Sequence, residues 1–345
     1  MSRLLLLTTA SQKTHILKRR WLATMSTLPT YIDIGVNLTD DMYSGRYHGR
    51  KAHAADLDVV MERAQKAGVI SQMVTVGHIK EIHPVLALTK EHEGLYSTAG
   101  VHPTRASKVG KGYLDELRSV LNKEAMSASN SSGKIIAVGE CGLDYDRLHF
   151  SSKEDQLCQF ELQLQLAKEY QLPLFLHCRA AHTDFTTIIR RQMTQTIERS
   201  DERKRTGVVH CFTGTLDEMK ELIEMGFFIG MTGCSVRSQE GIAVAKEIPL
   251  DRLMLETDAP WCDLRATHAS APFWSEFSKA RPELAQLYQP ASAKKEKWDK
   301  EKTVKGRNEP CAIGCVAAVI AQVKGITIEE VALAALSNTQ FLLGI

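Results

Sequence analysis

The chain has 345 residues, 43% of them hydrophobic and 24% charged, with a formal net charge of +2. That apolar share suffices for a globular core, while a charge so near zero excludes nucleic-acid binding by bulk electrostatics, so a phosphate-binding surface has to be local. The longest apolar runs fall short of the roughly 18 residues of a membrane-spanning helix, and no membrane partner is expected.

Residues 1–30 stand apart. Arg3, Lys13, Lys18, Arg19 and Arg20 fall here, and no acid precedes Asp33. This is the composition of a mitochondrial targeting segment or of a disordered leader that a start at Met25 would bypass. A used leader implies the mitochondrion; an unused one implies cytoplasm or nucleus. The leader is set aside from the fold, leaving 31–345 as one domain.

From Tyr31 a cadence begins. YIDIGVN reads as a first strand, and KAHAADLDVVMERAQKAG follows with helical spacing, closed by Gly68. SQMVTVG and LYSTAGVHP are the second and third strands, each followed by a helix. KIIAVGE is the fourth, and a long helix, KEDQLCQFELQLQLAKEYQ, comes after it. PLFLHC, GVVHCF, FFIGMTG and RLMLETD complete the set, with helical segments between them. Eight strand–helix units without a hairpin signal predict a (β/α)8 TIM barrel in the α/β class rather than an open sheet. No glycine-rich dinucleotide fingerprint follows the first strand.

After strand eight the rhythm breaks. Residues 263–305 are polar and lysine-rich, hold Trp274 and Trp298, and are expected to be a long insertion without regular structure. RNEPCAIGCVAAVIAQV then supplies a helix with Asn308 as N-cap and Pro310 in its first turn, and ITIEEVALAALSNTQFLLG a last one. The eight cysteines show no C-x-x-C spacing. Cys141, Cys178 and Cys211 each follow a candidate ligand, and strand alternation is expected to turn them outward as reduced, buried thiols of an intracellular protein.

Four strands end on a residue able to bind metal: Glu140, His177, His210 and Asp258. Barrel strands deliver their ends to a common mouth, so residues far apart in sequence converge there. Carboxylate with imidazole is a donor set for a divalent Zn, Mn or Mg ion, which acidifies a water and polarises a phosphoryl or carbonyl oxygen. Asp258 is the candidate general base, beside Glu140 as the other candidate catalytic group. His102, in GVHP, ends strand three and is a further ligand, a phosphate contact or a structural histidine. Arg105, Arg147, Arg179, Arg237, Arg265 and Arg307 lie just past strand ends. Such a rim favours phosphodiester over amide substrates, with Arg147, Arg179 and Arg307 the principal candidates for phosphate.

In the stretches GVHP, VGECGLD, FLHCR, VVHCF, ETDAPW and RNEP, the sequence resembles the TatD family of metal-dependent deoxyribonucleases, among the amidohydrolase-like barrels. With DIGVNLTD at the first strand, it is most similar to the eukaryotic branch. The resemblance implies a TIM barrel and a metal-dependent deoxyribonuclease that hydrolyses DNA phosphodiesters, often by trimming from the 3′ end, with internal cutting as the alternative. It carries metal ligation onto Glu140, His177, His210 and Asp258. The wider family opens with Asp-x-His-x-His on strand one, where this chain has Asp33, Gly35 and Asn37. Glycine offers no ligand and an asparagine carbonyl a weak one, so one ion is expected on Glu140, His177 and His210. A second would lean on Asp258, water and substrate phosphate, an arrangement suited to Mg or Mn. Asp33 stands either as a ligand or behind one. The rival readings are a metallohydrolase of a non-nucleic-acid ester or amide, and a non-catalytic barrel that binds a partner through its insertion.

Overall fold

The computed structural model describes residues 28–197 and 206–345; all but the last three residues of the expected leader lie outside them. Eight parallel strands form one sheet in sequence order: β1 Tyr31–Val36, β2 Val69–Val74, β3 Leu95–Ala99, β4 Ile135–Asp144, β5 Leu174–Arg179, β6 Gly207–Val209, β7 Phe228–Met231 and β8 Leu253–Leu255. The seam between β8 and β1 closes just past β8. A bridge joins Val36 to Ala259, Asp258 N donates to Gly35 O at 2.8 Å, and Asn37 N donates to Ala259 O at 2.7 Å. The result is the expected TIM barrel.

Helices cross between successive strands: α1 Leu57–Lys66, α2 Ile82–Glu91, α3 Tyr113–Glu124, α4 Lys153–Tyr170, α5 His182–Ile197, α6 Leu216–Glu224 and α7 Gln239–Glu247. Strand alternation divides the core in two. Phe175, Val208, Phe228 and Met254 point into the barrel, whereas Leu174, Leu176, Val209, Ile229, Leu253 and Leu255 pack outward against the helices. The last helix, α11 (Ile328–Leu343), closes the bottom, with Leu342 and Leu343 joining the inner cluster. Asn338 pins it there by donating to Leu250 O at 2.7 Å and Leu253 O at 2.8 Å. With that end plugged, side chains two residues beyond the inner apolar layer emerge at the open mouth. They are those of His177, His210 and Glu256, while Gly230 at the same level leaves room for Glu256.

Three expectations are corrected. A short antiparallel ribbon, Arg46–Tyr47 with Arg50–Lys51, interrupts the β1–α1 connection. Its turn residues, His48 and Gly49, both have positive φ, but His-Gly is a weaker signal than Asn-Gly. The insertion is not structureless: it folds as α8 (Ala271–Ala280) and α9 (Pro282–Tyr288), then a two-residue parallel pair, Ser292–Ala293 with Thr303–Val304. Phe277, Leu284 and Tyr288 are buried in the outer core, and Tyr288 Oη lies 3.1 Å from Tyr31 Oη at the start of β1. Finally, Asn308 does not cap α10 (Ile313–Lys324), which follows a short 3-10 turn at Pro310–Ala312. Its side chain instead donates to Thr257 O at 3.0 Å, bracing the segment after β8.

Candidate metal centre

β4, ten residues long, outlasts its five- and six-residue neighbours and carries both Glu140 and Asp144 to the mouth. Glu140 is where the site converges. Its Oε1 lies 3.0 Å from His177 Nδ1, 2.9 Å from His210 Nε2 and 3.3 Å from His102 Nε2. One carboxylate oxygen thus gathers three imidazoles from β5, β6 and the turn after β3.

The far nitrogen of each ring shows what the ring can do. His177 Nε2 is 3.1 Å from Asp144 Oδ2, and His210 Nδ1 is 3.1 Å from Glu256 Oε2. Both carboxylates are fully buried. A carboxylate only accepts, so each fixes the hydrogen on that far nitrogen and turns the near nitrogen's lone pair toward Glu140 once the ring is neutral. His102 differs. Its Nδ1 accepts from Thr104 N at 3.1 Å, so in the neutral ring Nε2 carries the hydrogen and donates to Glu140. Of its three expected roles, the geometry supports that of a donor that orients Glu140.

Electrostatics follow the same lines. Burial works against charge on Glu140, but the neighbouring His102 and His210 outweigh it and hold the carboxyl well below the usual range. Burial likewise opposes a charge on His177, yet hydrogen bonds to Asp144 and Glu140 raise its pKa. His210 is raised well above the usual value by Glu140 and Glu256 despite burial. Burial lowers the pKa of His102 despite the neighbouring Glu140.

The residues fit a divalent cation. His177 and His210 face carboxylates on both nitrogens, and a neutral imidazole has one hydrogen for two such partners. Either the ring carries a proton, or a cation takes the near nitrogen while the far one donates. Asp144 Oδ1 is also buried without a hydrogen-bond partner among the described residues. His102, Glu140 and His177 bring one ligand atom each within 4.8 Å of the others. With His102 engaged as a donor, Glu140, His177 and His210 are the residues that could hold an ion.

Asp258 lines the same cleft, an opening of about 620 Å³. Its Oδ1 accepts from Asn37 Nδ2 at 3.0 Å and its Oδ2 from Cys262 Sγ at 3.3 Å. Burial first, then the charges of Glu140 and Glu256, push its carboxyl up to about 6. Asn37 Oδ1 accepts from Thr75 Oγ1 at 2.7 Å, so its carbonyl is engaged and its amide serves Asp258. Asp33 is fully buried and does not reach the mouth. It accepts from Thr257 Oγ1 at 2.6 Å, Thr257 N at 3.0 Å and Gly35 N at 3.2 Å, and so sets the chain between Glu256 and Asp258. Burial, partly opposed by these donors, raises its pKa to about 8. Gly35 leaves the room Glu256 needs: a Cβ there would collide with Glu256 Oε2.

Arg147, Arg179 and Arg237 line the cleft. Arg147 is 3.6 Å from Asp144, and Arg179 is 2.8 Å from the exposed Asp146. Arg307 does not join them. It is 4% exposed, with its guanidinium on Asp56 at 2.8 and 2.6 Å and on Glu309 at 2.9 Å. The expectation that it binds phosphate is therefore corrected: a charge so enclosed is a structural ion pair, extended by Arg63 Nε on Glu309 at 2.7 Å. Nor do the cysteines all turn outward. Cys141 is buried as expected, but Cys178 and Cys211 line the cleft. Cys211 has φ +45°, which ends the strand alternation at His210.

Two residues of the site, Asp144 and Glu256, were missed from sequence. A signal existed for Glu256, which shares the inward parity of Met254 and Asp258.

The family model described as TatD related DNase matches residues 32–344. A relative from Schizosaccharomyces pombe named deoxyribonuclease Tat-D is 39% identical over 306 residues, 87% of this chain and 91% of its own. One from Erwinia amylovora named 3′-5′ ssDNA/RNA exonuclease TatD is 33% identical over 317 residues, 91% of this chain and 99% of its own. The crystal structure of a hydrolase TatD family protein from Entamoeba histolytica superposes with a TM-score of 0.80 at 35% identity, covering 92% of this chain and 99% of that one.

Proposed function

The chain belongs to the TatD related DNase family, and from that premise we propose that it is a divalent-metal-dependent deoxyribonuclease trimming single strands from the 3′ end. The observation that carries the reading is the convergence of His177 Nδ1 and His210 Nε2 on Glu140 Oε1 at 3.0 and 2.9 Å, with their far nitrogens held by Asp144 and Glu256. The exonuclease named in Erwinia amylovora supports the single-stranded substrate and the direction of trimming, and RNA is included on the same ground.

Glu140, His177 and His210 would hold a cation, which would supply positive charge for a phosphoryl oxygen and acidify a water. The donor set of one carboxylate and two imidazoles suits Zn or Mn, with Mg the harder alternative. β1 offers it nothing, because Gly35 lacks a side chain and the Asn37 carbonyl is taken by Thr75. We therefore assign one tightly held ion to this centre. The protein's own groups do the rest. Asp144 and Glu256 keep the two rings aimed. Asp258, steadied by Asn37, accepts a proton from the attacking water. Arg147, Arg179 and Arg237 meet the phosphates.

The test is digestion of a 5′-labelled single-stranded oligonucleotide with Mg, Mn, Zn or EDTA. A ladder shortening from the 3′ end with metal, absent with EDTA and in Glu140→Gln, is expected. No shortening with any metal, or an unchanged ladder from Glu140→Gln, would overturn the reading.

A further inference from the structure

On the β6–β8 side of the same cleft, a second group of ligand-bearing side chains meets. Cys211 Sγ and Cys262 Sγ are 3.7 Å apart, and Cys262 Sγ is 3.3 Å from Asp258 Oδ2. Each of the three brings a ligand atom within 4.8 Å of the other two. Cys234 lines the same cleft.

The spacing is informative. In a tetrahedral zinc site, metal–sulfur bonds of about 2.3 Å and a metal–oxygen bond of about 2.0 Å give edges of about 3.8 Å between sulfurs and about 3.5 Å between sulfur and oxygen. The observed 3.7 and 3.3 Å sit close to those edges. The backbone points the same way. Cys211, Asp258 and Cys262 have φ of +45°, +52° and +54°, three of the six non-glycine residues with positive φ among the described residues. All three residues line the cleft.

The surroundings suit a thiolate. Thr232 Oγ1 accepts from Cys234 N at 3.1 Å and from Ser235 N at 3.3 Å, and lies 3.1 Å from Cys211 Sγ. With two amides on its lone pairs, the hydroxyl has its hydrogen left to donate to that sulfur. Asp258 enters through Oδ2, since Oδ1 is held by Asn37.

We propose that Cys211, Asp258 and Cys262, with Cys234 as the fourth donor, form a binding site for a thiophilic divalent cation of the zinc class, distinct from the Glu140 centre. Thiolate donors select such an ion over Mg or Mn, whereas the Glu140 centre offers only nitrogen and oxygen. The chain thus holds two cation sites of different hardness in one cleft. This site goes beyond the nuclease reading, and because the two share Asp258, that carboxylate can take the proton of the attacking water only while this site is empty.

Cobalt(II) reports thiolate ligation directly. The metal-stripped full chain is titrated with cobalt(II) and its near-ultraviolet thiolate-to-metal charge transfer recorded. The band is expected in the unaltered protein and in Glu140→Gln, and to be lost in Cys211→Ser/Cys262→Ser. No band, or a band that survives the double substitution, would overturn the proposal. A second measurement needs no variant: zinc is expected to protect Cys211, Cys234 and Cys262 from iodoacetamide, read by peptide mass, while the exposed Cys158 reacts with or without zinc. Equal labelling of the three thiols in both states would refute the site even if the double variant failed to fold. A failed nuclease reading would look different, with the cobalt band intact and no cleavage.

Discussion

Replacing Glu256 with Gln changes one buried atom and should change the metal chemistry of the whole mouth. Glu256 is fully buried in room that Gly35 and Gly230 leave open, since a Cβ at either would collide with its carboxylate. Its Oε1 accepts from Cys211 N, and its Oε2 faces His210 Nδ1 at 3.1 Å. Glutamine has nearly the same shape, but its orientation is dictated. The Cys211 amide requires the carbonyl, so the NH2 must face His210 Nδ1. That ring nitrogen then has to accept, the hydrogen moves to Nε2, and Nε2 points it at Glu140 rather than a lone pair at a cation. Loss of such an outer partner lowers metal affinity about 10- to 100-fold, or about 1.4–2.7 kcal/mol, and the forced tautomer places Glu256→Gln at the upper end. Calorimetric titration of the metal-stripped variant with Mn or Zn measures it, with the 5′-labelled digestion as a parallel readout. Affinity and cleavage both within about twofold of the unaltered protein, well below the loss expected of an outer partner, would refute the reasoning.

Other consequences are as direct. Arg307→Ala strands Asp56 in the interior and leaves Glu309 to Arg63 alone, and denaturant unfolding should show a loss of about 3–5 kcal/mol, with cleavage per folded molecule retained; an unchanged midpoint would contradict the burial of that pair. Arg179→Ala and Arg147→Ala should each weaken oligonucleotide binding and reduce the slope of log affinity against log salt by about 1, while leaving metal affinity unchanged. Stability of the metal-free protein should fall as pH rises above about 6.5, because His177 and His210 have raised values and keep protons that the unfolded chain has already lost. Their contribution is fully present below that pH and disappears as each folded value is passed. A cation competes with those protons, so its stabilising effect should grow between about pH 6 and about pH 8, by as much as about 1.4 kcal/mol per unit for each proton displaced. Melting temperatures with and without Mn test the sign.

The barrel was legible because its period is simple. Eight apolar runs alternating with helical spacing leave few arrangements, and the strand ends then had to share a mouth. Glu140, His177, His210 and Asp258 do meet in one cleft. What sequence could not show was partnership. Arg307 and Arg179 read alike as cations after strand ends, yet one is enclosed by Asp56, 251 positions away, and the other stands over an exposed Asp146. Glu256 and Asp144 lay inside the quoted motifs but passed as filler, because a carboxylate that orients a histidine is recognised only once the ring's second nitrogen is located. The insertion was hidden by its lysines. Its apolar positions, Phe277, Leu284 and Tyr288, recur with helical spacing under a surface that reads as loop. The outward turn expected for Cys211 failed for a local reason, its left-handed backbone, which no alternation rule foresees.

The central claim is that one oxygen of Glu140 organises the cation and hence the cleavage. Single-turnover digestion of the 5′-labelled strand at saturating Mn, comparing the unaltered protein with Glu140→Gln, tests it most directly. The account predicts loss of 3′ trimming in Glu140→Gln together with loss of tight Mn binding, while the fold persists by circular dichroism. Trimming by Glu140→Gln at the unaltered rate would contradict it.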